Sequence, residues 1–249
     1  MKVLILAAGY GTRLYPITLD KPKALLEVGG KTILERIITS IIEVNDCDHI
    51  YIVTNSKFYK DFVKWVINKN FSMEITVIDD GTSSNEARLG AIGDIHLVIE
   101  GKNISEDLLV AGSDNLFDFD VKDFIAFAKP KSPCASIALF DIKDLKKANL
   151  YGIAVINKET YEVIGFEEKP AKPKSTLAAT AVYFYPKEKL KLFSEYIKAG
   201  LTKDAPGNFI KWLVTKEPVY GYVFKGNWYD IGSIESLKKA DEDYRKRGK

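Results

Sequence analysis

From residue 2 to residue 140 the chain alternates between apolar, β-prone runs and segments whose apolar residues recur at helical spacing, and this rhythm most limits the folds open to it. Residues 2–8 form an apolar run ending at Gly9, as expected of a parallel strand buried on both faces. Ile33, Leu34, Ile37, Ile38, Ile41 and Ile42 then recur at helical spacing behind a Thr32/Glu35 capping-box pattern. Further strands are expected at 49–54, 74–78, 108–111 and 135–140, and helices at 57–68, 86–99 and 121–128. Such alternation predicts an α/β fold with a doubly wound parallel sheet covered on both faces. After about residue 144 the rhythm changes. Strand-like runs at 152–156, 162–166 and 177–185 have short connections, which predicts a smaller antiparallel part. Helices at 187–199 and 209–214, a strand at 219–224 and a charged helix from Ser233 complete the chain. The expectation is one domain over 1–249, with parts 1–143, 144–230 and 231–249.

An open α/β sheet places ligands at the carboxyl ends of its strands, and there the first run opens into Gly9-Tyr10-Gly11-Thr12-Arg13-Leu14. Glycine permits positive φ and close backbone approach, so Gly9 and Gly11 can turn amides toward phosphate oxygens. Thr12 adds a hydroxyl and Arg13 a planar cation suited to phosphate. An ordinary turn would also explain two glycines after a strand. A dinucleotide fingerprint would require glycine at Leu14, and a P-loop ending in Gly30-Lys31-Thr32 would require glycine at Leu25. Both are excluded.

The loop gains weight from Lys21-Pro22-Lys23-Ala24-Leu25 and Val28-Gly29-Gly30-Lys31, which follow it and lead into the capped helix. The joint pattern GYGTRLYPITLDKPKALLEVGGKT resembles the signature of the sugar-1-phosphate nucleotidyltransferases, departing mainly at Thr32, where the family usually has proline. The resemblance extends over nearly the whole chain and looks closest to the short glucose-1-phosphate thymidylyltransferases and uridylyltransferases. It implies a Rossmann-like mixed sheet with a smaller sugar-binding part. It also implies transfer of NMP from a nucleoside triphosphate, dTTP or UTP favoured, to a hexose 1-phosphate, glucose 1-phosphate favoured, with release of pyrophosphate. In such chemistry the protein positions reactants and neutralises charge more than it reacts covalently.

Residue by residue, the resemblance gives Arg13, Lys23 and Lys169 as catalytic cations. Lys23 matches the P-K-x-L lysine that contacts the triphosphate. Ala8, Gly9, Gly11 and Thr12 cradle phosphate. Mg2+ is the implied cofactor, held by Asp114, directly after an apolar strand, and by Asp230 in the W-x-D-x-G-[ST] match Trp228–Ser233. Ser113 stands where the family has glycine. Glu168 and Lys169 match an E-K-P motif, the acid bonding sugar hydroxyls and the lysine holding the sugar phosphate; Gly152 and Tyr183 line the sugar pocket. Ala181 replaces a family glycine there. The family's base-reading Gln and Gly fall, without gaps, on Asp80 and Asn85, so Asn85 is expected to contact the nucleotide.

The balance of charge narrows the partners. With 36 basic and 34 acidic residues spread along the sequence, no general nucleic-acid field is implied. The Lys/Pro stretch at 169–174 is short, and the tail DEDYRKRGK mixes signs. The first apolar run is too short to span a membrane and no cleavage-type site follows it, so a cytoplasmic soluble protein is expected. Cys47 and Cys134 lack metal or redox spacing, and His49 and His96 lack partners at ligand spacing; all four read as structural. Glutamine is absent and Met and Cys are scarce, a bias of heat-adapted proteins. Relatives of this type are often homo-oligomers. The rival readings are a cytidylyl- or guanylyltransferase on the same scaffold, or a non-catalytic nucleotide-sugar-binding subunit. The last is disfavoured because Arg13, Lys23, Asp114, Lys169 and Asp230 are all present.

Overall fold

The computed structural model describes residues 1–44 and 46–247; the last two residues of the expected 231–249 segment lie outside them. In chain order the strands are β1 (Lys2–Leu6), β2 (Glu27–Val28), β3 (Lys31–Thr32), β4 (His49–Thr54), β5 (Ile75–Asp79), β6 (Leu108–Gly112), β7 (Asn115–Phe117), β8 (Ala135–Asp141), β9 (Gly152–Ile156), β10 (Val163–Glu168), β11 (Leu177–Tyr185), β12 (Val219–Phe224) and β13 (Trp228–Asp230). The helices are α1 (Ile33–Ile42), α2 (Tyr59–Lys69), α3 (Ala91–Gly101), α4 (Val121–Ala128), α5 (Leu145–Ala148), α6 (Lys191–Lys198), α7 (Pro206–Leu213) and α8 (Ile234–Arg247).

Nine strands make one mixed sheet. Its path runs β10-β9-β11-β6-β1-β4-β5, with β8 paired to β11 and β12. The β6-β1-β4-β5 stretch is parallel, as the alternation predicts. β1 is buried from both sides: Val3 and Ile5 face a core packed with α1 and α4, while Leu4 faces a second core with α3, α6 and α7. Thr32 caps α1, its hydroxyl accepting from Glu35 N at 3.1 Å, a cap worth about 1 kcal/mol.

Two features differ from the sequence expectation. β8 does not extend the parallel run beside β6, because antiparallel β11 inserts between them. A nonlocal strand entering a sheet leaves no local periodicity by which to place it. The helix expected from residue 86 begins only at Ala91, since Gly90 takes φ +80° and breaks the turn before it.

β11 changes neighbours along its length. Leu177 and Ala178 pair with β9, whereas Val182 to Tyr185 pair with β6. At the changeover the register to β8 slips between Ala179 and Tyr183, and Ala181 takes φ +57°. This bulge parts the sheet near the carboxyl end of β6. A two-stranded ribbon of β7 and β13 closes over the same end.

Candidate active site

The phosphate loop is fixed from below by residues that the sequence reading did not single out. Asn55, at the end of β4, donates from its side-chain amide to Ala8 O at 2.8 Å, and Tyr10 donates its hydroxyl to Thr82 O at 3.0 Å. Gly11 adopts φ +64° and Thr18 donates its hydroxyl to Gly11 O at 2.8 Å, so the chain turns into the short helical segment Thr12–Leu14. Gly9 is not in a left-handed conformation; a Cβ there would point into open space, the cavity itself. The two glycines therefore serve different ends, a turn at Gly11 and room at Gly9.

That cavity is about 550 Å³ and is lined by Ala8, Gly9, Gly11, Thr12, Arg13, Lys23, Asn85, Asp114 and Lys169, all named from the sequence. A second cavity of about 180 Å³ is lined by Gly152, Glu168, Tyr183 and Asp230, together with Arg13 and Lys169 again. The two join at Arg13, Lys169, Ala181 and Pro206. Every candidate residue thus lines one of two adjoining cavities at the strands' carboxyl ends, where open α/β sheets bind ligands. A separate cavity of about 350 Å³, among Arg36, Phe117, Phe119 and Tyr244, holds none of them.

At the junction stands a polar chain. Trp228 Nε1 donates to Asn115 Oδ1 at 2.8 Å, Asn115 Nδ2 donates to Asp114 Oδ1 at 2.7 Å, and Lys23 Nζ donates to Asp114 Oδ2 at 2.7 Å. Both carboxylate oxygens of Asp114 are therefore oriented, although the group remains about a third exposed to the cleft. Burial would raise its pKa, but the Lys23 ammonium and these hydrogen bonds hold it below the ordinary range. Asp230 is brought alongside through the ribbon, in which Asp230 is the partner of Asn115 and Ile231 N donates to Asp114 O at 2.9 Å. Burial, and then the charge of Asp114, raise the Asp230 carboxyl, against the pull of Lys23, Arg13 and Lys169. Two carboxylates 116 positions apart in sequence thus converge closely enough to repel each other. Among the described residues no cluster of three or more metal-ligating side chains occurs. A pair of hard oxygens is nevertheless the protein share that Mg2+ takes when phosphates and water supply the rest.

On the smaller side, Glu168 lies between two glycines. A Cβ on Gly207 would overlap Glu168 Oε2, and one on Gly152 would lie 2.8 Å from it. Burial raises the Glu168 carboxyl, partly offset by Lys169. Lys169 takes φ +46° while its amide donates to Tyr151 O at 3.0 Å, which turns the side chain at the junction. Tyr183 is buried, and its phenol pKa is raised by that burial and by Glu168. Gly112 touches the bulge, where an added Cβ would come within 2.9 Å of Ala181 Cβ. Ser113, the intervening residue before Asp114, is buried with its amide on Leu6 O.

Of the two residues on which the family's base-reading pair falls without gaps, Asn85 lines the larger cavity and Asp80 does not. The Asn85 carbonyl accepts from Arg88 at 3.2 Å, and the positive-φ glycine next along this part of the wall is Gly90, five residues on. Asp80 is buried, with Oδ1 accepting from the amide and hydroxyl of Thr82 and Oδ2 without a partner. Asp94, in the first turn of α3, does line the cavity; it is 5% exposed and its buried Oδ1 has no partner. Burial, and then the charge of Asp80, push its carboxyl up to about 7.

That burden has a testable sign. The unfolded chain releases the Asp94 proton near pH 4 and the folded chain near 7, so between these values folding binds a proton and stability falls as pH rises. Asp94→Asn removes this cost. The unliganded variant is expected to be more stable than the parent at pH 8, by on the order of 2–4 kcal/mol, the gap closing toward pH 4. Urea unfolding at both pH values measures it, and equal stability at pH 8 would contradict an unpaired carboxylate.

His49 stacks on Tyr51 and shares a hydrogen bond with Thr76, while His96 faces Glu100 one turn along α3; neither reaches the cleft. Cys47 and Cys134 are free thiols outside it. No helix is long and apolar enough to cross a membrane among the described residues.

Comparison with known proteins places this geometry among relatives. The family model described as nucleotidyl transferase matches residues 2–247. A Sulfolobus acidocaldarius protein bearing the name mannose-1-phosphate guanyltransferase is 30% identical over 236 residues, which are 93% of this chain and 60% of that protein. The chain therefore spans somewhat under two thirds of that relative's length. A Bacillus anthracis structure, named as a glucose-1-phosphate thymidylyltransferase and solved with sucrose, superposes with a TM-score of 0.84 at 27% identity, covering 98% of this chain and 95% of that one. A UDP-glucose pyrophosphorylase with UDP-glucose shares the fold, with a TM-score of 0.81 at 23% identity, covering 99% and 98%.

Proposed function

This chain belongs to the nucleotidyl transferase family, and from that premise we propose that it joins the NMP of a nucleoside triphosphate to a hexose 1-phosphate, releasing pyrophosphate. The observation that carries the reading is the pair Asp114 and Asp230, brought together beside Lys23, Arg13 and Lys169 where two cavities meet. One cavity suits a nucleotide and the other a sugar. The junction, where the cations and carboxylates stand, suits the phosphates of both.

In this reading the larger cavity takes the triphosphate against the Ala8–Thr12 backbone, with Arg13 and Lys23 on its oxygens. The smaller takes the sugar, with Glu168 on its hydroxyls, Gly152 and Tyr183 on its walls, and Lys169 on its phosphate. A sugar-phosphate oxygen bonds to the α-phosphorus as the bond to the β,γ-diphosphate breaks, so that pyrophosphate leaves with the electron pair. The attacking oxygen is already anionic, and no side chain need take a proton. The cations offset charge that grows on the leaving group, a form of preorganised electrostatic stabilisation. Mg2+, held by Asp114 and Asp230, would supply further neutralisation of the phosphate oxygens.

The expected pyrimidine preference rests on motif resemblance, and the named relatives differ in base. Glucose 1-phosphate is the favoured acceptor. The test is pyrophosphate release with magnesium and glucose or mannose 1-phosphate, offering each common nucleoside triphosphate separately. Release that requires both substrates supports transfer; release from none would overturn it.

The glycines around Glu168 give a sharper check on the sugar side. Gly207→Ala forces Glu168 away from its place, and displacements of about 1 Å in a positioning group cost on the order of 10²-fold. We expect that loss in kcat/KM for the sugar phosphate, with nucleotide affinity unchanged. An unaltered sugar KM would remove Glu168 from the sugar site.

A further inference from the structure

Asp94 is the one carboxylate lining the larger cavity whose buried oxygen lacks a hydrogen-bond partner, among the described residues. Its position along the sheet says which part of a nucleotide it would meet. Asp114 follows β6, the phosphate loop follows β1, Asn55 follows β4 and Asp80 follows β5, and these four strands are successive neighbours. Three strand spacings separate β6 from β5, about 14 Å across the sheet. α3, which carries Asp94, packs on β1 and β4, and the charge of Asp80 after β5 acts on Asp94, so Asp94 stands on the β4–β5 side of the phosphate loop. A nucleotide with its phosphates at Asp114 and Arg13 extends its base that way.

The chemistry of that end is selective. Ionised, as it is above about pH 7, the Asp94 carboxylate only accepts hydrogen bonds, through two oxygens side by side. Uracil and thymine offer one N–H between two carbonyl oxygens, and a carboxylate would face at least one of them. Adenine and cytosine each offer an amino group beside a ring-nitrogen acceptor. Guanine alone among the common bases places two donors side by side, N1–H and the 2-amino group. Asp80, with its own Oδ2 unpartnered nearby, adds negative potential that favours donors and disfavours carbonyls.

Resting on the nucleotide-site reading of this cavity, we infer that Asp94 reads the base edge and makes the chain selective for guanine nucleotides. This selectivity is an alternative to the pyrimidine preference that the motif resemblance implies. Oδ1 has no hydrogen-bond partner, so a base that fails to donate leaves a buried acceptor unsatisfied, and such sites reject wrong ligands strongly.

The test is calorimetric binding of GTP, ITP, 2′-deoxyGTP, UTP and dTTP to the full chain with magnesium at pH 8, where Asp94 is ionised. GTP is expected to bind on the order of 10- to 100-fold more tightly than UTP or dTTP. ITP lacks only the 2-amino donor and is expected to bind about tenfold more weakly than GTP. Asp94→Asn, which removes a buried charge and should fold, is expected to bring GTP and ITP level. UTP or dTTP binding as tightly as GTP, or ITP matching GTP in the parent chain, overturns the inference. So does a loss with 2′-deoxyGTP in place of the loss with ITP, which would put Asp94 on the ribose. Guanine-selective binding without pyrophosphate release would uphold the inference and sink the transfer reading; release favouring UTP or dTTP would do the reverse. Binding of none would overturn both.

Discussion

Asparagine at either Asp114 or Asp230 is expected to lower transfer by roughly 10³-fold, because in the proposed reaction each change removes a charge that would hold Mg2+, at nearly constant volume, and metal neutralisation is worth several kcal/mol in the transition state. The two variants should differ in stability even as they agree in activity. Asp114 is held ionised by Lys23 at 2.7 Å, so Asp114→Asn loses an attraction and should weaken the fold. Asp230 is raised by burial and by Asp114, so Asp230→Asn relieves a repulsion and should not. Single-turnover rates across a magnesium titration, with urea unfolding beside them, measure both. Full activity in both variants at limiting magnesium would end the assignment of the pair.

Lys23→Ala carries the second large effect. In the free protein the ammonium is 12% exposed and bound to Asp114, which places it at the junction before any phosphate is present. Removing it should slow the transfer step by on the order of 10²–10³-fold, the cost of one preorganised donor at developing charge, with little change in sugar-phosphate KM. It should also release Asp114, whose carboxyl would then rise toward the ordinary range or above, since burial is the largest influence upon it. An unchanged single-turnover rate would leave Lys23 with a structural role only.

Much of this cleft could be named before it could be seen. Residues in the N-terminal part, from Ala8 to Lys23, lie in one contiguous stretch whose spacing fixes a turn, a short helical segment and a cation in sequence order. Glu168 and Lys169 were likewise legible as neighbours. Gly207 was not, because its need for hydrogen in place of Cβ arises from Glu168, 39 residues away. Asn55 and Tyr10, which hold the loop, read as ordinary polar residues until their partners at Ala8 and Thr82 are located. Asp94 sits inside an apolar helical pattern, where a single carboxylate looks solvent-facing; only its burial marks it.

By itself the sequence determined the types of most elements, the parallel half of the sheet and the kinds of side chain on offer at the strand ends, since these follow from local periodicity, turn chemistry and residue identity. The tertiary structure decided which strand stands beside β6, where β11 bulges to open the cleft, that Asp230 lies against Asp114, and that Asp94 is buried without a partner. Each of these depends on pairing and burial between segments tens to more than a hundred residues apart, and no local pattern encodes such contacts.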